Sequence, residues 1–202
     1  AARRSPRSHR RIGLALAGGG PLGAFYEVGT LHAISESFEG LDLTTLDMYV
    51  GVSSGAMIAA GLVNGYDTTD MGVVFIHNAS TEHPVRPGLF LRPAFREYGT
   101  RIAAIPGLAV DICKQYLRDP GKDWAEAIDP IGRLLPTGLC DNRPFERFLA
   151  QMFTGAGRTN DFRELPRSLY IVATELNSGY SVRFGEPGFD HVPISRAIQA
   201  ST

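Results

Sequence analysis

After residue 11 the chain contains two similar units. In each, a short apolar run ends in glycine and is followed by a helical pattern of apolar residues. In the first unit, apolar and small residues alternate over Arg11–Ala17, which is typical of a short strand, and Gly18–Gly20 follows directly. Pro21 then stands where the first turn of a helix tolerates a missing N–H. Apolar residues recur after it at spacings of three and predict one apolar helix face that ends before Gly40: Leu22, Phe25, Val28, Leu31 and Ile34.

The second unit repeats this order. Met48–Val50 is an apolar run that leads into the pentad Gly51–Gly55, and the residues from Ala56 to Val63 are apolar on most helical faces. A helix of that kind is expected in the middle of a domain. Two consecutive strand–glycine–helix units predict an α/β fold with a mainly parallel sheet.

The pattern then loosens between about residues 66 and 136, where six prolines interrupt it. Regular patterns return with a helix over Asn142–Phe153, a buried strand over Leu169–Ala173, a turn at Asn177–Gly179 with a return strand over Tyr180–Phe184, and a helix over Ile194–Gln199. These elements predict one domain over residues 12–202, with a variable insertion at about 66–136.

Composition narrows the protein class. With 202 residues, 44% hydrophobic and 20% charged, the chain suits one globular domain, and its net charge of -1 gives no indication of nucleic-acid binding. Residues 1–11 hold five arginines and no acid, and we interpret them as a flexible basic tail. Cys113 and Cys140 form no CxxC pair, which favours reduced thiols in a cytoplasmic protein. No apolar run reaches the length of a membrane span.

The pentad Gly51-Val52-Ser53-Ser54-Gly55 has the pattern of a nucleophile elbow. A serine hydroxyl becomes an effective nucleophile when a sharp turn exposes it beside a base and near hydrogen-bond donors. Gly51 and Gly55 remove side chains that would clash in such a turn, so Ser53 is predicted as the nucleophile. We expect Ser54, which is off-centre, to cap the following helix.

The glycine stretch Gly18–Gly23 also follows a strand and opens a helix, which favours a concave patch of backbone N–H groups. Pro21 cannot donate, so Gly18, Gly19 and Gly20 are predicted to form the oxyanion hole, with Gly19 and Gly20 as the preferred donors. The same residues satisfy the GxGxxG fingerprint of dinucleotide-binding proteins, and Asp42 offers a ribose ligand at suitable spacing. A dinucleotide-binding module therefore remains an alternative.

With both glycine turns in place, the chain resembles the patatin-like phospholipases, which pair GGGxxG with GxSxG after successive strands. Three later stretches are similar to the same family: Leu135–Phe145, Tyr170–Gly179 and Ile194–Ser201. The resemblance implies a three-layer α/β/α sandwich with a mainly parallel central sheet and a lipid acyl hydrolase. In this family a Ser–Asp dyad without histidine forms an acyl-serine that water hydrolyses. The resemblance implies no cofactor, no metal and no nucleic-acid partner.

The implied substrate is a lipid ester. We therefore expect a cytoplasmic protein that could contact membranes peripherally.

The sequence departs from the family pattern at two positions. Leu22 occupies a position where the family usually carries arginine or lysine. The family's aspartate lies in a DG[GA] motif after the helix that begins near Ile194, and this sequence has no Asp-Gly pair.

We therefore expect the catalytic aspartate to lie beyond residue 202, on the remainder of the same protein, and residues 1–202 alone to lack the base. Four other aspartates are poor substitutes by their positions: Asp111, Asp129, Asp141 and Asp190.

Three alternatives to a hydrolase with a Ser–Asp dyad stay open. An acyltransferase could use the same serine, and a Ser-His-Asp triad could draw on His191 beside Asp190. A non-catalytic module could keep the turns without the base.

Overall fold

The computed structural model of the chain describes residues 11–76 and 142–202. Residues 11–76 and 143–202 belong to one compact unit, whereas Asn142 is assigned to a second unit that begins at Pro87. The predicted basic tail, apart from Arg11, and most of the predicted insertion lie outside the described residues. So do both cysteines, His77, His83 and the aspartates at 111, 129 and 141. The proposed division into tail, domain and insertion therefore stays a prediction.

Four strands form one sheet in the order β1-β2-β3-β4. They are β1 (Gly13–Leu16), β2 (Met48–Gly51), β3 (Ser168–Thr174) and β4 (Ser181–Phe184). The first three are parallel, and β4 is antiparallel to β3, as the turn at Asn177–Gly179 predicts. The predicted α/β fold with a mainly parallel sheet is confirmed, and each predicted strand is found within two residues of its predicted ends.

Helices connect and cover these strands. They are α1 (Gly20–Ser37), α2 (Ser54–Val63), α3 (Thr68–Met71) with a π-helical turn (Gly72–Ile76), α4 (Arg143–Phe153), a 3₁₀ turn (Phe162–Glu164) and α5 (Ile194–Ser201). Helix α2 packs on β1, β2 and β3, and α1 and α5 pack against α2. Within the described ranges, no helix combines the length and the apolarity that crossing a membrane requires.

Helix α2 is the centre of the core. All residues from Gly55 to Val63 are buried, because the helix has the sheet on one side and α1, α3 and α5 around it. Its uniformly apolar composition excludes a solvent-facing side, so the predicted central helix is confirmed.

The predicted apolar face of α1 is wrong in part. The buried residues of α1 are Ala24, Val28 and Leu31, whereas Leu22 is 79% and Phe25 43% exposed. Three residues turn a helix by about 300°, so positions spaced by three drift around the axis and cannot share one face over four turns. The residues that do face α2 follow the alternating spacing of four and three.

Helix α5 is anchored at its start by buried polar contacts. Ser195 is fully buried; its Oγ donates to Glu146 Oε1 at 2.9 Å and accepts from Asn160 Nδ2 at 3.0 Å. The Ser195 backbone N–H donates to Asn160 Oδ1 at 2.8 Å. These bonds fix the first turn of α5 beside α4, and so determine where its other end arrives.

The loop before β2 is held by the fully buried Tyr49, and this gives a stability prediction. The Tyr49 hydroxyl donates to Leu43 O at 2.7 Å and accepts from Leu46 N at 2.9 Å, and burial raises the pKa of Tyr49 to about 12. Tyr49→Phe would leave both backbone groups unpaired. We expect it to lower the free energy of unfolding by about 1–3 kcal/mol, measured by urea denaturation.

The matched control for this change is Tyr180→Phe, since Tyr180 is 77% exposed. We expect the control to change the free energy of unfolding by about 0.5 kcal/mol or less. Equal effects of the two substitutions would show that the buried hydroxyl does not support the loop.

Candidate active site

The two glycine turns leave the sheet at the same edge. Strands β1 and β2 are parallel neighbours, and Leu16, the last residue of β1, pairs with Gly51, the last residue of β2. The N–H of Val52 donates to Leu16 O at 3.1 Å and ties the second turn to the first strand. The loop Gly18–Gly20 and the predicted elbow therefore stand side by side at the carboxyl edge, where α/β sheets bind their ligands.

Ser53 has a strained backbone at this edge. Its φ of 52° and ψ of -120° make it the single non-glycine residue with a positive φ in the described ranges. Such a conformation costs about 1–3 kcal/mol and is concentrated at functional sites. Ser53 is the N-cap residue of α2 and is only partly exposed, so the turn holds its side chain at the helix start.

The flanking glycines are required by close packing, as the pentad predicts. A Cβ at Gly51 would lie 2.4 Å from Ala56 Cα, and one at Gly55 would lie 2.4 Å from Ala17 O. Both contacts are with backbone, which cannot move aside in the way that a side chain can. The turn is thus accessible only with glycine at these two positions.

The Ser53 side chain lies against the glycine loop. A Cβ at Gly18 would stand 3.0 Å from Ser53 Cβ and 3.7 Å from Ser53 Oγ, and one at Gly19 would stand 2.8 Å from Gly23 Cα. Gly20 has a φ of 61°, which glycine adopts without strain, and begins α1. The absence of side chains lets this backbone approach the Ser53 hydroxyl closely.

Backbone donors are available in this loop. The N–H of Gly23 is used within the helix, where it donates to Gly19 O at 3.0 Å. By contrast, none of the backbone hydrogen bonds among the described loop and turn residues uses the N–H of Gly18, Gly19 or Gly20. The amino end of α1 adds a partial positive charge at the same place. An anion beside Ser53 would therefore meet unpaired donors and a favourable field.

Ser201 is a site residue that the sequence did not reveal. Its Oγ accepts a hydrogen bond from the Ser53 N–H at 2.8 Å and donates to Val172 O at 2.6 Å. The hydroxyl thus links the end of α5, the central strand β3 and the backbone of the strained serine. A separation of 148 residues gives no local pattern. The sequence signals were its place just after the predicted helix and within the family-like stretch Ile194–Ser201, and neither indicates a contact with Ser53.

A family profile described as patatin-like phospholipase matches residues 14–202. The chain belongs to this family. The match covers both glycine turns, β1 from Leu14 onward, the other three strands and α5, in agreement with the α/β fold described above. No curated protein matches the chain significantly.

Two solved structures show similarity to this patatin-like chain. One is ExoU of Pseudomonas aeruginosa in its heterodimeric complex with SpcU, with 19% identity and a TM-score of 0.41 over 95% of this chain and 36% of that chain. The other is VipD of Legionella pneumophila, with 18% identity and a TM-score of 0.45 over 94% of this chain and 41% of that one. The chain thus spans well under half the length of either protein.

The histidine-based triad is not assembled in this patatin-like domain. Asp190 lies near Arg163, whose pKa is raised by Asp161 and more weakly by the Asp190 charge. Helix α5 begins just after His191, where Ile194 N donates to Asn160 O, and its eight residues extend about 12 Å toward Ser53. Asp190 and His191 are therefore at the opposite end of α5 from the serine.

Asp42 is likewise remote from the glycine loop. It lies before β2, at the amino edge of the sheet, and its Oδ1 accepts from the N–H of Thr44 at 2.8 Å and from its hydroxyl at 2.6 Å. The glycine loop is at the carboxyl edge. Asp42 thus cannot bind the ribose of a dinucleotide whose phosphates occupy that loop.

Ser54 does not act as the predicted helix cap. Ser53 takes the N-cap position, without a side-chain hydrogen bond, and Ser54 is the first helical residue. The Ser54 Oγ is buried and has no hydrogen-bond partner among the described residues. The positive φ of Ser53 moves the cap by one residue, which the sequence pattern does not indicate.

No three His, Cys, Asp or Glu side chains in residues 11–76 and 142–202 are grouped as a metal site would require.

Proposed function

We propose that the chain carries the nucleophile and the oxyanion hole of a lipid acyl hydrolase. The observation that carries the proposal is the strained turn at Ser53, which holds its side chain against Gly18. Gly18 lies in a loop whose first three N–H groups have no backbone partner within residues 11–76 and 142–202. Family membership adds the reaction class, since patatin-like phospholipases act on lipid esters.

In the proposed reaction, Ser53 Oγ attacks the carbonyl carbon of the ester while its proton passes to an aspartate. The carbonyl oxygen becomes an oxyanion, which accepts from the N–H groups of Gly18, Gly19 and Gly20. The carbon–oxygen bond to the leaving alcohol then breaks, and the aspartic acid returns the proton to that alcohol. Water, activated by the same aspartate, hydrolyses the acyl-serine and regenerates Ser53.

We place the aspartate of this Ser–Asp dyad in the segment that follows α5. The support is geometric, because Ser201 at the end of α5 contacts the backbone of Ser53. A residue that follows α5 therefore starts within reach of the nucleophile. Most described aspartates have hydrogen-bond partners elsewhere: Asp42 with Thr44, Asp47 with Ile12, Asp67 and Asp70 with each other at the start of α3, and Asp161 with Arg163.

The surroundings of the site suit an apolar substrate. The first two turns of α1, directly after the glycine loop, expose Leu22, Phe25 and Tyr26. Val52, next to the nucleophile, is also exposed. Exposed apolar side chains beside a catalytic centre favour contact with acyl chains, and they support the expectation that the protein works at a lipid surface.

A fluorophosphonate probe tests the proposal, because it phosphonylates activated serines. We expect the full-length protein to gain one adduct, mapped to Ser53 by peptide mass spectrometry, and Ser53→Ala to gain none. Labelling at another serine would contradict the proposal. So would an unlabelled protein that binds a nicotinamide dinucleotide, since this would favour the non-catalytic module. Adding a thiol acceptor to the ester assay separates the classes, since a hydrolase releases free acid and an acyltransferase forms a thioester.

A further inference from the structure

The Ser201 hydroxyl is fixed from two sides at the carboxyl edge of the sheet. It donates to Val172 O at 2.6 Å and accepts from the Ser53 N–H at 2.8 Å. A serine hydroxyl has a single proton to donate, so the bond to Val172 O directs its lone pairs, and one of them faces Ser53. The sheet therefore orients the acceptor that α5 offers to the nucleophile turn.

Val172 O is available for this bond because β3 runs past the end of β2. The register pairs Gly51, the last residue of β2, with Ile171, and β3 continues beyond this pair to Thr174. Helix α5 packs on β3, and its last residue, Ser201, reaches the strand just past the pair. Ser201 thus meets the sheet at the point where β2 passes into the nucleophile turn.

The peptide that precedes Ser53 is hydrogen-bonded at both ends. Its carbonyl, Val52 O, accepts from the Gly55 N–H at 2.9 Å, and its N–H donates to Ser201 Oγ. This bond from Gly55 to Val52, with a φ of 52° and a ψ of -120° at Ser53, is the geometry of a type II′ turn, in which the Ser53 position favours glycine. Relaxation of Ser53 to a negative φ rotates this peptide and displaces both hydrogen-bonded groups.

The peptide that follows Ser53 is held at one end only. Ser53 O accepts from the Ala56 N–H at 3.0 Å. The N–H of Ser54, the first residue of α2, has no partner within the helix and no backbone partner among the described loop and turn residues. Tetrahedral geometry at Cα means that a ψ of -120° nearly aligns the Cα–Cβ bond of Ser53 with the C–N bond to Ser54. The Ser53 side chain and the free Ser54 N–H therefore lie on the same side of the turn.

We propose that Ser201 is a positioning residue that keeps Ser53 in this conformation. Within the described ranges, its hydroxyl is the only side-chain group that hydrogen-bonds the backbone of Val52–Gly55. The inference rests on the proposed function, since the held conformation presents Ser53 Oγ and the Ser54 N–H together to the ester carbonyl. Without the hydroxyl, the peptide before Ser53 loses one of its two anchors, and the strain of the positive φ favours relaxation.

The same contact joins the nucleophile to the segment that follows α5, in which the proposed aspartate lies. Loss of the Ser201 hydroxyl is therefore expected to misplace both members of the dyad relative to each other. A displacement of reacting groups by about 1 Å lowers the rate of the chemical step strongly. The exposed apolar residues of α1, which are proposed to contact the acyl chain, do not depend on Ser201, so substrate binding should change little.

The test uses Ser201→Ala and Ser201→Thr in the full-length protein, at a temperature at which circular dichroism shows both to be folded. The readouts are fluorophosphonate labelling and hydrolysis of a soluble short-chain ester. Alanine removes the hydroxyl, whereas threonine keeps it. We expect Ser201→Ala to lower the labelling rate and kcat by about tenfold or more, with KM changed less than about threefold. We expect Ser201→Thr to retain about a third or more of the wild-type kcat.

Hydrogen exchange measured by NMR supplies a second readout, which does not depend on activity. In the described ranges the Ser53 N–H bonds Ser201 alone, so its exchange in Ser201→Ala should be about tenfold faster or more. The amide of Ala60, in the middle of α2, should keep its protection. A Ser53 amide that is unprotected in the wild type would overturn the inference, and this measurement remains decisive if Ser201→Ala does not fold.

Ser35→Ala is the matched control. Ser35 is half-buried, as Ser201 is, and its hydroxyl donates to a backbone carbonyl, His32 O at 2.7 Å, far along α1 from the site. It should match the wild type in every readout. Two kinetic results would overturn the inference: kcat of Ser201→Ala within about twofold of the wild type, or Ser201→Thr as slow as Ser201→Ala. An unlabelled wild-type protein would instead contradict the proposed function, so the two failures are distinguishable.

Discussion

Replacing Ser53 with alanine is expected to lower kcat/KM for ester hydrolysis by about 10⁴-fold or more, because the attacking oxygen is removed. The backbone of the turn should persist, since Val52, Gly55 and Ser201 hold it through contacts that do not involve the Ser53 side chain. The measurement is hydrolysis of a soluble ester by the full-length protein. Ser37→Ala, at the far end of α1, is the control and should retain full activity.

Ser53→Gly separates catalysis from stability at the same position. Glycine adopts a φ of 52° and a ψ of -120° readily, so this variant releases the strain that serine carries there. Part of the gain is offset by the larger freedom of glycine in the unfolded chain. We expect an inactive protein that is more stable by about 1 kcal/mol. A less stable Ser53→Gly variant would show that the turn is not held in the strained form, and an active one would show that Ser53 is not the nucleophile.

The sequence predicts the two glycine turns well because each is a local feature. A strand that ends in glycine and leads into a helix occupies fewer than ten residues, and steric exclusion at Gly51 and Gly55 follows from the bend itself. The parallel pairing of β1 and β2, which brings the turns to one edge, follows from their connection through a helix. The strand register confirms the parallel pairing of β1 and β2.

Other features depend on contacts between distant segments. The link from Ser201 to Ser53 requires knowing where α5 ends, which the buried cluster at Ser195 determines. The exposure of Leu22 and Phe25 depends on which side of α1 meets α2, and a spacing of three did not decide it. Glu27, an acid on α1, has no distinguishing pattern in the sequence, because the burial of its Oε2 and the hydrogen bond from the Ala17 N–H to its carboxyl group arise only in the folded domain.

Gly55→Ala is expected to destabilise the domain by about 3 kcal/mol or more and to remove hydrolytic activity. The added methyl group would lie 2.4 Å from Ala17 O and 2.6 Å from Leu16 O, both backbone atoms of the segment that becomes the glycine loop. The clash can be relieved only by moving α2 away from β1. Since Ser53 is the N-cap residue of α2, the same movement withdraws the hydroxyl from the loop. Urea denaturation and ester hydrolysis measure the two effects.

Two other glycine-to-alanine changes show whether the clash with backbone is the cause. Gly29 lies within α1, and a Cβ at this position would meet nothing within 4 Å, so Gly29→Ala should raise stability by about 0.5–1 kcal/mol. A Cβ at Gly61 would meet only the flexible end of Met71 at a distance below 3 Å, so Gly61→Ala should fall between the others. A Gly55→Ala protein as stable as Gly29→Ala would mean that α2 and β1 are not in close contact. The same result would remove the physical reason for placing the nucleophile beside the oxyanion donors, because that placement depends on the approach of these two elements.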